Sequence, residues 1–349
     1  TLLASSAASD VYKRQIKGGT FRGCTSLTNI ILPDGVEIIE DWAFRDCKAL
    51  FSITIPQSIK RIDSKAFFGC TSLNAVIYNG TREQWEEVEQ SLEAIVICSD
   101  EEHPSFYSKT INEITFTMTD NDELYVDGVG EIASFPVCPE EIKKRIIKII
   151  IREGITGLGK CTFDGYSSLR EVIIPNRVIT IPNKCFQNCK SLRSVDIPVS
   201  ITGIEAYAFS GCNNLASITI PANVRIIGNY AFKDCKSLNE IVIPNGVSNM
   251  GIGTFSGCSS LINITLSGTI KEIASLMFHD CVSLTEITVP EGITSISDNA
   301  FSDCVSLKRI NLPNTLKEIE PAAFWSCSSL KDINIPEGIN AINDSVFQY

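Results

Sequence analysis

Histidine is nearly absent from this chain, with two in 349 residues. His103 stands in an acidic stretch and His279 follows Phe278. Neither falls in H-E-x-x-H or another metal-ligand spacing, so no metal site, no cofactor and no imidazole-driven catalysis are expected. Long apolar runs are lacking too: nothing reaches the roughly 18 residues that a membrane-spanning helix needs. The longest such stretch, residues 146–151, is broken by Lys148 and reads as a buried strand. A basic stripe, which nucleic-acid binding would require, is also missing. The net charge is −11, and the short run Lys143, Lys144, Arg145, Lys148 reads as one solvated face. Between residues 79 and 131, 14 acidic side chains stand against Arg82 and Lys109, so the acidity belongs to that segment and the rest is close to neutral.

What the chain has in abundance is repetition. Phenylalanine recurs at 163, 186, 209, 232, 255, 278, 301, 324 and 347, each 23 positions after the last, and earlier at 21, 44 and 67. The unit reads F-x-[GDN]-C-x-S-L-x-x-I-x-I-P-x-x-V-x-x-I-x-x-x-A. A repeat this short cannot bury its apolar face alone and must stack on its neighbours, which makes the chain a solenoid. Within a unit, Leu27, Ile30 and Leu32 have the spacing of a short strand, which Pro33 ends by withholding a ladder donor. Val36, Ile39, Ala43, Phe44 and Cys47 then step as in a helix or 3₁₀ turn, so each coil is expected to be strand, turn and short helical segment.

The 14 cysteines would suggest disulfides or zinc in a small secreted domain. Ten of them, at 24, 47, 70, 189, 212, 235, 258, 281, 304 and 327, lie three residues after a phenylalanine, one per coil. Stacked coils would hold them about 4.8 Å apart and parallel, whereas a disulfide needs converging Cβ atoms within about 4.5 Å. A ladder of buried thiols is expected, and no C-x-x-C supports zinc. Cys98, Cys138, Cys161 and Cys185 fall outside the ladder, without the base and orienting group of a nucleophile.

The combination L-x-x-I-x-I followed by P-x-x-V-x-x-I-x-x-x-A-F-x-x-C resembles the BspA-like leucine-rich repeat family, over roughly three quarters of the chain. The resemblance implies an α/β solenoid, a right-handed leucine-rich repeat with a parallel sheet on its concave side. It also implies surface attachment or protein binding rather than catalysis.

Departures from the unit suggest boundaries. Residues 1–15 share nothing with the repeat, and SAASDVYKRQ resembles a translated sequencing adapter, so a non-native or disordered leader is expected there. Residues 16–98 read as a first repeat block. Its closing features are a capping-box helix start at Thr81-Arg-Glu-Gln84, with Trp85, Val88 and Leu92 on one face, and a strand over 94–98. Residues 99–111 read as an acidic linker. Residues 112–349 read as a hairpin cap, built from Ile114, Phe116, Met118 and then Leu124 and Val126, plus a second block truncated at its C-terminus. That block opens on a degenerate coil, in which Ile146, Ile149, Ile151, Ile155 and Leu158 keep the apolar slots while Glu140 and Lys143 take those of Phe and Cys. The distance from Phe67 to Phe163 is not a multiple of the period, which favours two blocks over one continuous spiral.

Few chemical motifs survive scrutiny. Gly128-Val-Gly130-Glu-Ile-Ala133 fits a dinucleotide fingerprint formally, but Pro136 comes too soon for the helix it requires, and a turn is expected. The Gly, Asp or Asn before nine of the ten ladder cysteines interchange freely, which suits a left-handed turn and not a calcium array. The positions the repeat leaves open are the strand residues that flank the first isoleucine and point away from the core. These candidate ligand-binding residues are Glu171, Asp196, Thr219, Glu240, Val242, Asn263, Thr265, Glu286, Thr288, Arg309, Asn311, Asp332 and Asn334. The mixed stripe suits a protein partner, such as a host or matrix protein, or a glycan, and ill suits nucleic acid or lipid. The expected function is non-enzymatic binding or adhesion at a cell surface or in secreted form. The alternative is a structural spacer or accessory region of a larger protein or enzyme.

Overall fold

Alternation after most of the repeat leucines does produce a strand, and the strands stack in register. In the computed structural model, which describes residues 14–50, 52–73, 75–90, 92, 95–98, 105–119, 121–132, 140–339 and 342–348, Glu240–Val242 pairs parallel with Asn263–Thr265, Glu240 opposite Asn263. Glu286–Thr288 pairs likewise with Arg309–Asn311. Each partner lies one period along the chain, so the protein is a β-solenoid with parallel sheets.

The second half of the coil departs from expectation. A short second strand replaces the first part of the expected helix: Thr180–Ile181, Gly203–Ile204, Ile226–Ile227 and Asn249–Met250 form another parallel sheet. Turns replace the rest. In one such segment the amides of Ala231, Lys233 and Cys235 bond to the carbonyls three residues back, while those of Tyr230, Phe232 and Asp234 donate to Ile252, Thr254 and Ser256 of the next coil. A helix would turn every amide inward; here alternate amides tie one coil to the next. The switch is made by left-handed residues two before and two after the phenylalanine, as at Tyr230 (φ 55°) and Asp234 (φ 57°). Helix is therefore scarce among the described residues, confined to Arg82–Glu86 and Glu140–Arg145.

The chain divides into two compact units, Thr1–Lys109 with Phe116–Asn121, and Thr110–Thr115 with Asp122–Tyr349. In the first, the strands Asn29–Ile31, Ser52–Ile55, Ala75–Tyr78 and Ile95–Cys98 form one parallel sheet. Thr81 caps the helix Arg82–Glu86 in a reciprocal box with Gln84, and Trp85 and Val88 are buried. Two boundaries shift. Gln15–Ile16 pairs with Ile38–Ile39, and Arg14 bonds to Glu37 at 2.6 Å, so residues 14 and 15 belong to the first coil and not to a leader. Residues 105–111, read as linker, are the strand Ser105–Ile111, in keeping with an aromatic and β-branched stretch; residues 99–104 lie outside the described residues, as do 1–13 and Cys138.

In the second unit, Glu123–Asp127 leads into the parallel strands Lys148–Ile151, Glu171–Ile173 and Ser194–Asp196. The degenerate coil keeps its apolar slots, with Ile146, Ile149, Ile151, Ile155 and Leu158 buried. Gly130–Ile132 is a strand and not the helix a dinucleotide site would need.

Stacked rings run down the core. Successive phenylalanines from Phe163 to Phe347, and from Phe21 to Phe67, have centroids 4.9–5.8 Å apart and planes within 18° of parallel. Beside them, each ladder thiol from Cys47 onward donates to the carbonyl of the phenylalanine in the preceding coil, at 2.9–3.3 Å. Burial raises these thiols well above their ordinary pKa, as at Cys189 and Cys235, while Cys24 is exposed. In the coil of Phe163 the cysteine slot holds Tyr166, fully buried, with the Lys143 ammonium 5.8 Å from its ring.

Candidate functional site

Strand residues in a coil alternate between core and solvent, so a face of outward side chains comes with each sheet. In Glu240–Val242 the central Ile241 is buried while Glu240 and Val242 are exposed; Glu171–Ile173, Ser194–Asp196, Glu286–Thr288 and Arg309–Asn311 repeat the pattern. Each of the thirteen residues singled out along this face is exposed. Two of them lie outside hydrogen-bonded strands: Thr219, in a coil whose residues 217–219 form no ladder, and Asn334, just past Asp332–Ile333.

Part of this face is dished. A depression of about 1100 Å³ is lined by Ser217, Thr219, Glu240, Val242, Asn263, Thr265, Glu286, Thr288, Arg309 and Asn311. It leaves out Glu171, Asp196, Asp332 and Asn334. Pro244 and Pro290 also line it, a contribution from the recurrent proline slot of the repeat that the outward-pointing pattern alone does not reveal. Val242 is 63 % exposed at its floor. At its edge Asn311 donates to Thr288 Oγ1 at 3.1 Å, and further along the sheet Lys148 pairs with Glu171 at 3.1 Å.

Among the described residues, the remaining reactive groups, His279 and the cysteines outside the ladder, lie in separate coils. His279 Nδ1 lies 2.8 Å from Ser302 Oγ and 3.5 Å from Asp303 Oδ2. Both neighbours approach the same ring nitrogen, whereas a relay needs one on each. Cys161 is exposed on a left-handed turn and Cys185 is buried. No group of three or more potential metal ligands occurs among the described residues.

A model of the BspA type leucine rich repeat region matches residues 9–91, 142–262 and 248–349. The chain belongs to that family. Among solved structures, this leucine-rich repeat chain is similar to a leucine-rich repeat protein from Bacteroides ovatus ATCC 8483, at 23% identity over 91% of this chain and 81% of that one (TM-score 0.40). One from Eubacterium ventriosum ATCC 27560 is similar at 20% identity over 68% and 93% (TM-score 0.44). A leucine rich cell surface protein from Faecalibacterium prausnitzii A2-165 is similar at 24% identity over 87% and 86% (TM-score 0.36). No curated protein matches the sequence. The repeat assigns its recurrent Phe, Leu, Ile and Cys positions to the solenoid core and leaves the outward strand residues of this leucine-rich repeat chain free to differ from coil to coil. No helix among the described residues is long and apolar enough to cross a membrane.

Proposed function

We propose that the protein is a non-catalytic binding module, displayed at a cell surface or secreted, that engages a protein or glycan partner with the strand face of its second unit. The observation that supports this most is the depression itself: it is lined largely by the side chains the repeat leaves free, with an exposed valine, amides, hydroxyls and two glutamates in one concavity. Such a mixture of apolar floor and polar rim is typical of protein-recognition surfaces. In this reading the solenoid is right-handed and organised as two repeat blocks. Residues 16–98 close on the Trp85 helix, and 112–349 open on a hairpin.

The test uses the full chain against a panel of immobilised, purified extracellular-matrix proteins and glycans. Asn263→Arg with Thr265→Arg fills the depression with side chains that start exposed, so far-UV circular dichroism should stay unchanged. Asn249→Arg, on the exposed part of the second strand, serves as control. Capture of a panel member that the double variant loses and the control keeps is the expected result. Equal capture by all three proteins, or none by the wild type, would favour a spacer role.

A further inference from the structure

Charge is distributed unequally along the strand face. Over four successive coils, residues 216–222, 239–245, 262–268 and 285–291, the face carries Glu240, Glu286 and Glu291 and no lysine or arginine. Glu291 is engaged, accepting from the Asn314 amide at 3.1 Å. The carboxylates of Glu240 and Glu286 contact no hydrogen-bond or ion-pair partner among the described residues. Elsewhere carboxylates are put to use: Glu37 bridges Arg14 and Lys60, and Glu205 and Glu320 cap amides of the preceding coil.

The register sets the spacing. Glu240 faces Asn263, Glu286 faces Arg309, and one period separates Asn263 from Glu286. The two glutamates thus stand two coil steps apart, about 9.6 Å at a strand spacing of about 4.8 Å. A β-strand lying across the coils presents same-face side chains every ~6.7 Å or ~13 Å and misses that interval. A polyproline II segment presents residues i and i+3 on one face at ~9.3 Å, with its backbone polar groups unpaired and available to Asn263, Thr265 and Thr288. Asn263 stands between the glutamates, and Val242, exposed on the same strand as Glu240, offers an apolar contact beside that line for an intervening proline. Arg309 stands opposite Glu286 in the next coil and ends the acidic stretch, so a third cation finds no carboxylate there.

We infer that the occupant of this groove is a basic peptide segment in polyproline II conformation, with cations at positions i and i+3. This rests on the strand-face reading above and adds the chemistry of the partner.

The probe is a fluorescein-labelled peptide, Pro-Pro-Lys-Pro-Pro-Lys-Pro-Pro, titrated with the full chain and followed by anisotropy at roughly 50 and 300 mM salt. Saturable binding that weakens with salt is expected. E240Q/E286Q, both at exposed positions, should weaken it at least about fivefold, and a peptide with adjacent lysines should lose a similar factor. Absence of saturable binding, equal binding by E240Q/E286Q, or equal binding of the adjacent-lysine peptide overturns the inference. The two readings separate cleanly. Matrix capture lost in N263R/T265R but retained in E240Q/E286Q leaves the strand face as the site and overturns the basic polyproline partner. Peptide binding that needs both glutamates, alongside matrix capture indifferent to N263R/T265R, upholds the groove's preference and removes the face from adhesion.

Discussion

From Phe186 to Phe301 each core phenylalanine is held on two sides by copies of itself, and its carbonyl accepts a thiol from the following coil, so one residue serves packing and register together. Phe232 is fully buried between Phe209 and Phe255, and Phe232→Ala should cost about 3–5 kcal/mol. Urea unfolding measures this, and a loss below about 1 kcal/mol would contradict the stacked core. The thiols predict an alkaline limit. Unfolded thiols titrate near 9, whereas burial pushes Cys70 up to about 11 and Cys327 up to about 12, and the fully buried ones higher. Below pH 9 both states hold the proton and stability is complete. Above it the unfolded chain releases protons that the folded chain keeps, so stability falls, by roughly 1.4 kcal/mol per pH unit for each fully buried thiol. The loss continues until the folded thiols themselves titrate. Melting temperatures should therefore drop between about pH 9 and pH 10.5, and less so after Cys212→Ala and Cys258→Ala; a flat profile in the wild type would refute the ladder's protonation.

Elements in this protein are defined by where their amides go. The segment before each phenylalanine has helical apolar spacing, yet every second amide leaves for the next coil, and a left-handed residue makes each exit possible. Ala322 occupies one such position at φ 55°. In a helix Ala322→Gly would destabilise by about 1 kcal/mol; on a left-handed turn it should be neutral or stabilise by up to about 1 kcal/mol. Chemical denaturation separates the two by sign. Gly253, also left-handed, lies where a Cβ would run into the Tyr230 ring, itself stacked on Tyr207 at 5.1 Å. The 23-residue beat exposes the position before cysteine, where Gly, Asp and Asn recur. It conceals the one two before phenylalanine, because Trp42, Lys184, Tyr207, Leu276 and Ala322 share no chemistry.

For the molecule as a whole, stability should be close to additive over coils, since each touches mainly its neighbours. Deleting residues 232–254, one complete period, joins Ala231 to Phe255 and preserves both ladders. The shortened protein should fold and unfold cooperatively at a somewhat lower denaturant midpoint. Deleting 244–254 alone leaves a strand without its return and should abolish cooperative unfolding of that region, as read by circular dichroism. The same periodicity explains the groove. The core positions are dictated in most coils, so outward strand positions are among those left to vary, and stacking brings residues 23 apart into one surface.

By itself the sequence determined the solenoid, the inward Phe, Leu, Ile and Cys positions and the outward strand residues, because those follow from a period repeated too often to be chance, and the Thr81–Gln84 cap, because its capping-box chemistry is local. Only tertiary structure decided the rest. Ala43 and Phe44 sit on turns, not a helix, because inter-coil carbonyls compete for the amides and a lone coil has none to offer. The thiols point at phenylalanine carbonyls because the preceding coil supplies the acceptor. Glu240 and Glu286 share a concavity with Val242, while Glu171 and Asp332 fall outside it, because curvature and depth arise from how coils stack and not from any one of them.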